Sequence, residues 1–280
     1  MQPFTLLWRR AATTRNWAPL AALLLLVLGV APAAAQVLRL GGSSGGIGTL
    51  KLLVEEFGKQ HPGAGSTLTL DLSSGGGIKA VAAAKIDIAV ASRPLSTAEL
   101  EVAAQLPIGD TPFVFITAAG NPVEGITTTE LEAIYGGTRD TWHDGRRLRL
   151  VITPHDDKDN AAIASISPGM ARALALAHAR PGMLIEPSDH AVAAAIERIP
   201  ASLGTSTLAL LTTEGRPLKA LGFNGVVPSA KTLADGKYPL TKSYFLVTAR
   251  QPTPRVQQFI EFVKSLQGKA ILTRAGFVAR

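Results

Sequence analysis

From residue 37 onwards, short apolar strands alternate with helical segments, and this alternation restricts the chain to a small group of folds. The first three predicted strands are Val37–Leu40, Thr67–Leu72 and Ile86–Ser92, and a helical pattern follows each of the first two. A helix between two strands carries the chain back to the same end of the sheet, so such strands pair in parallel. The pattern therefore predicts an α/β fold.

The remaining chain continues in the same way. Further strands are predicted at 111–118, 148–154, 207–213, 219–223 and 238–249. Helices are predicted from a cap at Thr128 or Thr129 to Gly137, and over 161–179, 190–199 and 256–275. The segments 111–117 and 242–248 are the best candidates for crossings between two lobes.

Composition narrows the possible functions. The chain has 280 residues, 46% of them hydrophobic, and a formal net charge of +7. It has no cysteine, which excludes disulfides and cysteine-bound zinc. Its basic residues form no long run and its aromatic content is 5%, so a nucleic-acid partner is disfavoured. A mild positive excess favours small anionic ligands.

The first 35 residues have the three-part form of a secretory signal peptide. Arg9, Arg10 and Arg15 precede an almost entirely apolar run over 18–30, and Ala33–Ala35 offers a cleavage site before Gln36. Ordinary secretion is favoured over twin-arginine export, and the lack of a cysteine excludes a lipid anchor on that residue. Without these residues the chain carries 25 basic and 21 acidic side chains, a net charge of +4.

Two strands end in serine and glycine just before a helix. The runs are Gly41–Gly48 and Ser73–Gly77, and Ser92 with Arg93 follows the third strand. Ligands of parallel α/β sheets bind at the carboxyl ends of strands, where a helix start presents free N–H groups and the positive end of its dipole. One such turn could be a plain connector, but three together predict an oxyanion site.

Other motifs compete with this interpretation. Gly41–Gly45 matches the G-x-S-x-G elbow of hydrolases, which would make Ser43 a nucleophile, but it follows the first strand and leaves nothing upstream for a second oxyanion donor. Neither glycine run continues into the lysine and hydroxyl of a P-loop. The five histidines lack metal-ligand spacing. The acidic run His155–Asn160 lacks the EF-hand glycine and glutamate, so it is either a solvated loop or a ligand loop.

The chain resembles the phosphate-binding proteins of ABC importers along nearly all of its length after the signal segment. The segments that carry the resemblance are 73–96, 125–142, 225–248 and 259–272. The resemblance implies a two-lobe, type II-like periplasmic-binding-protein fold, each lobe a mixed sheet flanked by helices. After the predicted signal peptide at 1–35, it implies lobe 1 at 36–115 plus 245–280 and lobe 2 at 116–244.

By position in that family, three hydroxyls and their neighbouring groups would bind the anion. The predicted ligand residues of the first lobe are Ser44, Gly45, Ser74, Gly75, Gly76, Ser92 and Arg93. The second lobe would contribute the loop with His155, Asp159 and Asn160, in the place where the family usually has an arginine and a Ser-Gly-Thr anchor. Asp159 could accept the proton that phosphate carries and sulfate lacks.

The sequence thus predicts a periplasmic, non-enzymatic receptor for a tetrahedral oxyanion. Phosphate is the first candidate, and molybdate or a phosphonate is the alternative, with a serine hydrolase using Ser43 the less favoured one. The expected partner is an inner-membrane ABC permease. The receptor is expected to be a monomer without cofactor, metal or nucleic acid.

Overall fold

One long strand, β4 (Ala103–Ala118), connects the two halves of the main sheet. The structure, a computed structural model, describes residues 37–62, 65–69 and 72–280. The predicted signal peptide lies outside these residues. The first half of β4 pairs with β11 and β12, and its second half pairs with β8 and β9, all antiparallel.

The elements follow the predicted α/β alternation. The strands are β1 (Leu38–Gly42), β2 (Ser66–Leu68), β3 (Ile88–Ala91), β4, β5 (Gly125–Ile126), β6 (Arg149–Ile152), β7 (Leu184–Ile185), β8 (Ser202–Thr207), β9 (Leu218–Ala220), β10 (Gly222–Phe223), β11 (Thr241–Ala249) and β12 (Val278–Ala279). The helices are α1 (Ser44–Gln60), α2 (Ser74–Ala82), α3 (Thr97–Leu100), α4 (Thr128–Gly136), α5 (Asp159–Ala164), α6 (Pro168–Ala179), α7 (Asp189–Arg198), α8 (Leu208–Glu214), α9 (Ala230–Ala234), α10 (Pro254–Lys264) and α11 (Leu266–Arg274).

The main sheet is mixed, as predicted. Its strand order is β2-β1-β3-β11-β4-β8-β6-β7, with β12 and β9 also paired to β4. The groups β2-β1-β3 and β8-β6-β7 are parallel, whereas β11 is antiparallel to both of its neighbours. Parallel strands of one group end at the same edge, which places the turns that follow them side by side.

Two hydrophobic cores divide the described residues into two lobes. Lobe 1 packs around Leu40, Phe57 and Phe259, together with a smaller adjoining cluster under α2. Lobe 2 packs around Phe115, Tyr135 and Trp142. In lobe 1 the rings of Phe57 and Phe259 meet edge to face at 5.4 Å, and full burial of each stabilises the fold by about 1.5–3 kcal/mol.

The predicted strand at 207–213 is wrong, because this segment is helix α8. The Thr207 hydroxyl caps the helix by accepting from the Leu210 N–H at 3.2 Å, and Gly215 ends it with φ of 60°. The true strand is β8, which precedes it and is fully buried. Its sequence SLGTST has little apolar character, so periodicity did not reveal it.

Three predicted helices differ from the observed ones: two are divided in the middle, and one begins earlier. The segment 256–275 is two helices, because Ser265 is extended and its hydroxyl caps the second one by accepting from Gly268. Likewise, 161–179 is divided into α5 and α6, with Ser167 capping α6. The cap of α4 is Thr127, one residue before the predicted positions, in a capping box with Glu130.

Candidate functional site

Three helix starts meet at a cleft of about 1180 Å³. Ser43 and Ser44 begin α1, Ser73 and Ser74 begin α2, and all four line the cleft from lobe 1. From lobe 2, the cleft is lined by Ser188 and Asp189 at the start of α7. Because each helix start carries unpaired N–H groups and a partial positive charge, their convergence favours a negatively charged ligand.

The lobe 1 side brings the predicted hydroxyls together. Ser74 Oγ lies 3.0 Å from Ser92 Oγ and accepts a second hydrogen bond, also 3.0 Å, from the Ser92 backbone N–H. Ser44 is buried at the first position of α1. Among the described residues, the N–H groups of Ser44 and Gly45 have no acceptor, and the same holds for Ser74 and Gly75. These are the groups that an oxyanion could engage.

Two predicted lobe 1 ligands are turned elsewhere. The N–H of Gly76 donates to Ser73 Oγ at 3.1 Å as part of the helix cap, so it is not open to a ligand. The Arg93 guanidinium donates to both Glu99 oxygens at 2.7 Å and does not line the cleft. This pairing holds the pKa of Glu99 down at about 2. Arg93 therefore fixes the loop after β3.

The lobe 2 loop places only part of its predicted set at the cleft. Asp157, Lys158 and Asp159 line it, whereas His155 and Asn160 do not. His155 packs against His178, with ring centroids 5.2 Å apart. The Asn160 amide donates to the carbonyls of Pro154 at 2.7 Å and His155 at 3.2 Å, which holds the loop in shape.

A buried lysine joins the two acidic side chains of lobe 2. Lys242 Nζ donates to Asp159 Oδ2 at 2.7 Å and to Asp189 Oδ2 at 3.2 Å. All three side chains are 8–10% exposed, and all three residues line the cleft. We call this group the Lys242 cluster. With one ammonium and two carboxylates, it carries a net charge of −1 when all three are ionised.

Burial governs the protonation of the Lys242 cluster. It raises the pKa of the Asp159 carboxyl to about 6, because desolvation outweighs the attraction of Lys242. Burial alone would lower the pKa of Lys242, but the negative groups around it, Asp189 first, raise that pKa well above its usual value. Lys242 is therefore a charged ammonium at neutral pH.

Gly45 brings the start of α1 against the Lys242 cluster. A Cβ at this position would lie 2.5 Å from Asp189 Oδ2 and would overlap the Tyr244 hydroxyl. Only glycine permits this approach, which sets a lobe 2 carboxylate directly beside the first turn of a lobe 1 helix. Gly45 thus has a packing role in addition to its predicted role as an N–H donor.

The sequence reasoning missed Asp189 and Lys242. The signal for Asp189 was Ser188, which caps α7 by accepting from the Ala191 N–H at 3.2 Å. The signal for Lys242 was its phase in β11, where Lys242, Tyr244 and Leu246 are buried and the residues between them are less so. A lysine in the buried phase of a strand requires negative partners.

The part of the chain that the structure describes shows neither a metal site nor a membrane span. No group of three or more histidine or acidic side chains there could hold a metal ion. None of the helices in the same residues combines the length and apolarity needed to cross a membrane.

Residues 29–265 match the profile of the PBP superfamily domain, and the chain belongs to this family. It is 27% identical over 296 residues to Protein SphX of Synechococcus elongatus, which covers 96% of this chain and 85% of SphX. It is also 27% identical over 172 residues to the phosphate-binding protein PstS of Bacillus subtilis, covering 59% of this chain and 55% of PstS.

The fold matches that of solved substrate-binding proteins. A Clostridium perfringens protein, described as a phosphate ABC transporter substrate-binding protein and solved with bound phosphate, superposes with a TM-score of 0.72. The sequence identity is 18%, and the match covers 88% of this chain and all of the other. The predicted two-lobe binding-protein fold is thereby confirmed. Membership of the PBP superfamily gives no support to the hydrolase alternative that uses Ser43.

Proposed function

We propose that this chain captures a tetrahedral oxyanion, inorganic phosphate first, and delivers it to an ABC importer. The observation that carries the proposal is the meeting of the starts of α1, α2 and α7 at one cleft, with unpaired N–H groups and serine hydroxyls around it. Such groups bind an oxyanion without any metal. The names of PstS and the Clostridium perfringens protein support phosphate over molybdate or a phosphonate.

Within this proposal, the hydroxyl groups of Ser44, Ser74 and Ser92 donate hydrogen bonds to the anion. The N–H groups of Gly45 and Gly75 donate from the first turns of α1 and α2. These five residues are supported by their positions at the helix starts and at the strand end beside the cleft. Arg93, His155 and Asn160 then act indirectly, since their contacts hold the loops that border the site.

The decisive experiment is calorimetry with phosphate, sulfate, molybdate and methylphosphonate on protein freed of its anion by partial unfolding and refolding. We expect phosphate to bind most tightly, and mass spectrometry of the native protein to find phosphate as the co-purifying anion. Tightest binding of molybdate or methylphosphonate would move the assignment to that anion. Failure of all four to bind would overturn the proposal.

We also propose that the protein is exported and acts outside the cytoplasm, with cleavage after Ala35. The basic front, the apolar run and Ala33–Ala35 support this. The N-terminal sequence of secreted protein should begin at Gln36. Protein that retains Met1 and stays in the cytoplasm would contradict export.

The remaining features of the proposal concern assembly. We infer a monomer with lobe boundaries after residues 115 and 244, which is supported by the two hydrophobic cores on either side of β4 and β11. The two lobes would close on the anion and the closed form would dock on a permease. Light scattering should give a mass near that of one chain, and a dimer would contradict the monomer.

A further inference from the structure

An oxyanion in the cleft would lie near the Asp159 and Asp189 carboxylates, so a basic side chain close by would favour its binding. The basic side chains that line the cleft are those of Lys51, Lys158, Arg216 and Lys242. Lys51 is 63% exposed on α1. Arg216 is bound to Glu214 at 2.6 Å and to Glu197 at 3.0 Å, and its side chain is 24% exposed. Lys158 is exposed in the loop before α5.

Lys242 differs from the other three in burial and position. Its side chain is 9% exposed, and its ammonium group has three N–H donors, of which Asp159 and Asp189 take two. Asp189 also lies beside the first turn of α1, where the unpaired N–H groups of Ser44 and Gly45 are. The ammonium therefore lies close to the proposed anion position, and neither carboxylate takes its third N–H.

From this geometry we propose that Lys242 binds the oxyanion directly and is its counter-ion in the cleft. This rests on the proposed function. Asp159 and Asp189 hold the ammonium in place and keep it charged, and the third N–H donates to the anion. A hydrogen bond from a buried ammonium is charge-assisted, so it contributes more than a neutral hydroxyl does. Lys242 thus takes the role that the sequence assigned to Arg93.

Two variants that differ in the net charge of the Lys242 cluster can separate a hydrogen bond from Lys242 to the anion from the effect of its charge. Lys242→Met removes the ammonium and leaves two carboxylates, so the cluster changes from −1 to −2. Lys242→Met combined with Asp189→Asn restores −1 but still lacks the donor. If Lys242 contributes only charge or packing, the double variant should regain wild-type affinity. If it donates to the anion, affinity should stay low.

The experiment is phosphate calorimetry at pH 7.5 on the wild type, Lys242→Met, Lys242→Arg and the double variant, with thermal unfolding of each. Lys79→Met and Lys85→Met are matched controls, because they remove exposed lysines that do not line the cleft, and Lys158→Met tests the rival cleft lysine. We expect the double variant to unfold near the wild-type midpoint and to bind about tenfold to a hundredfold more weakly. Lys242→Arg should retain more affinity than Lys242→Met, and each control should stay within about threefold of the wild type.

Three outcomes would overturn one or both proposals. Wild-type affinity in the double variant would overturn the assignment of Lys242 while leaving the proposed function intact. A larger loss in Lys158→Met than in the double variant would also overturn it and make Lys158 the counter-ion. Absence of phosphate binding by the wild type would overturn both proposals together.

Discussion

At the scale of single residues, Ser74 is the most sensitive position of the candidate site. Its hydroxyl lies 3.0 Å from that of Ser92, at the start of α2. In Ser74→Asp, a carboxylate would face the anion, and two like charges about 4 Å apart repel by roughly 4 kcal/mol at an effective dielectric constant of about 20. We expect phosphate binding to be nearly abolished in calorimetry, with the midpoint of the ligand-free protein close to wild type.

Ser96→Asp is the matched control for this prediction. Ser96 caps α3 on an exposed surface of lobe 1, away from the cleft, and aspartate is also a good cap. This variant adds the same charge to the same lobe and should bind phosphate as the wild type does. Unchanged affinity in Ser74→Asp would mean that the turn before α2 is only a connector.

Asp159 should make stability depend on pH in an unusual direction. Its pKa is raised from 3.8 to about 6, so between these values the folded protein binds more protons than the unfolded chain. The free energy of unfolding should therefore fall by about 3 kcal/mol at most as the pH rises from 4 to 7. Asp159→Asn removes this fall, because asparagine does not titrate.

Urea unfolding of both proteins at pH 4.5 and 7.5 checks this. Paired carboxylates such as Glu99 and Glu130, with pKa values lowered to about 2, contribute the opposite slope below pH 4.5 in both proteins. The difference between wild type and Asp159→Asn isolates Asp159. A difference that is the same at both pH values would show that burial does not shift its pKa.

At the scale of helices and strands, α1 depends on its glycines to approach its neighbours. In Gly45→Ala the new methyl group would collide with Asp189 and Tyr244. We expect a loss of about 1–3 kcal/mol from overpacking, measured by urea unfolding, and weaker phosphate binding. Gly75→Ala is the control, because the nearest atom to its Cβ would be Ser73 Oγ at 3.9 Å. Equal stability of both variants would contradict the close approach.

The elements also show what could be predicted from sequence. Alternating strands and helices were found because apolar spacing marks them, and the serine-glycine turns were found because glycine and serine at a strand end are uncommon together. β8 was missed because its buried side chains are small and polar, with Ser202 Oγ donating to the Ile199 carbonyl at 2.6 Å. The strand is buried by its pairing with β4 and β6, which are distant in sequence, and periodicity does not report such pairing.

The candidate site was predictable on one side only. Ser44, Ser74 and Ser92 follow strands in sequence, so the α/β pattern alone placed them at one edge. In the Lys242 cluster, Lys242 lies 53 positions from Asp189 and 83 positions from Asp159 in the sequence. Their contact therefore depends on how lobe 2 packs against β11. Arg93 was predicted to contact the anion because it is a basic residue at the end of a strand. In the structure its guanidinium is bound instead by Glu99, six residues later in the sequence.

At the scale of the whole molecule, ligand binding should stabilise the protein without changing its fluorescence. Residues 36–280 contain one tryptophan, Trp142, which is buried in the core of lobe 2 and donates to the Ala201 carbonyl at 2.8 Å. It does not line the cleft. Phosphate at a hundred times its Kd should add about 2.7 kcal/mol, which raises Tm by roughly 5–10 °C.

Thermal unfolding followed by tryptophan emission tests both parts of this prediction. The midpoint should rise with the logarithm of phosphate concentration, while the emission of the folded protein stays constant. Sodium chloride at matched ionic strength is the control and should leave the midpoint nearly unchanged. A large change in folded-state emission on phosphate addition would mean that binding rearranges the core of lobe 2.

The position of β11 decides when the chain can fold. In the sheet it lies between β3 and β4, yet it is made from residues 241–249, near the end of the chain. A chain still on the ribosome and lacking this strand has a gap in the middle of its lobe 1 sheet. The pairs of β11 with β4 that close the gap are 129 to 146 positions apart in the sequence. Such long-range pairing is slow to form. A fragment that ends at residue 240 should therefore be cleaved readily by protease. The growing polypeptide should likewise stay unfolded, and so able to pass through a translocation pore, until its synthesis is almost complete.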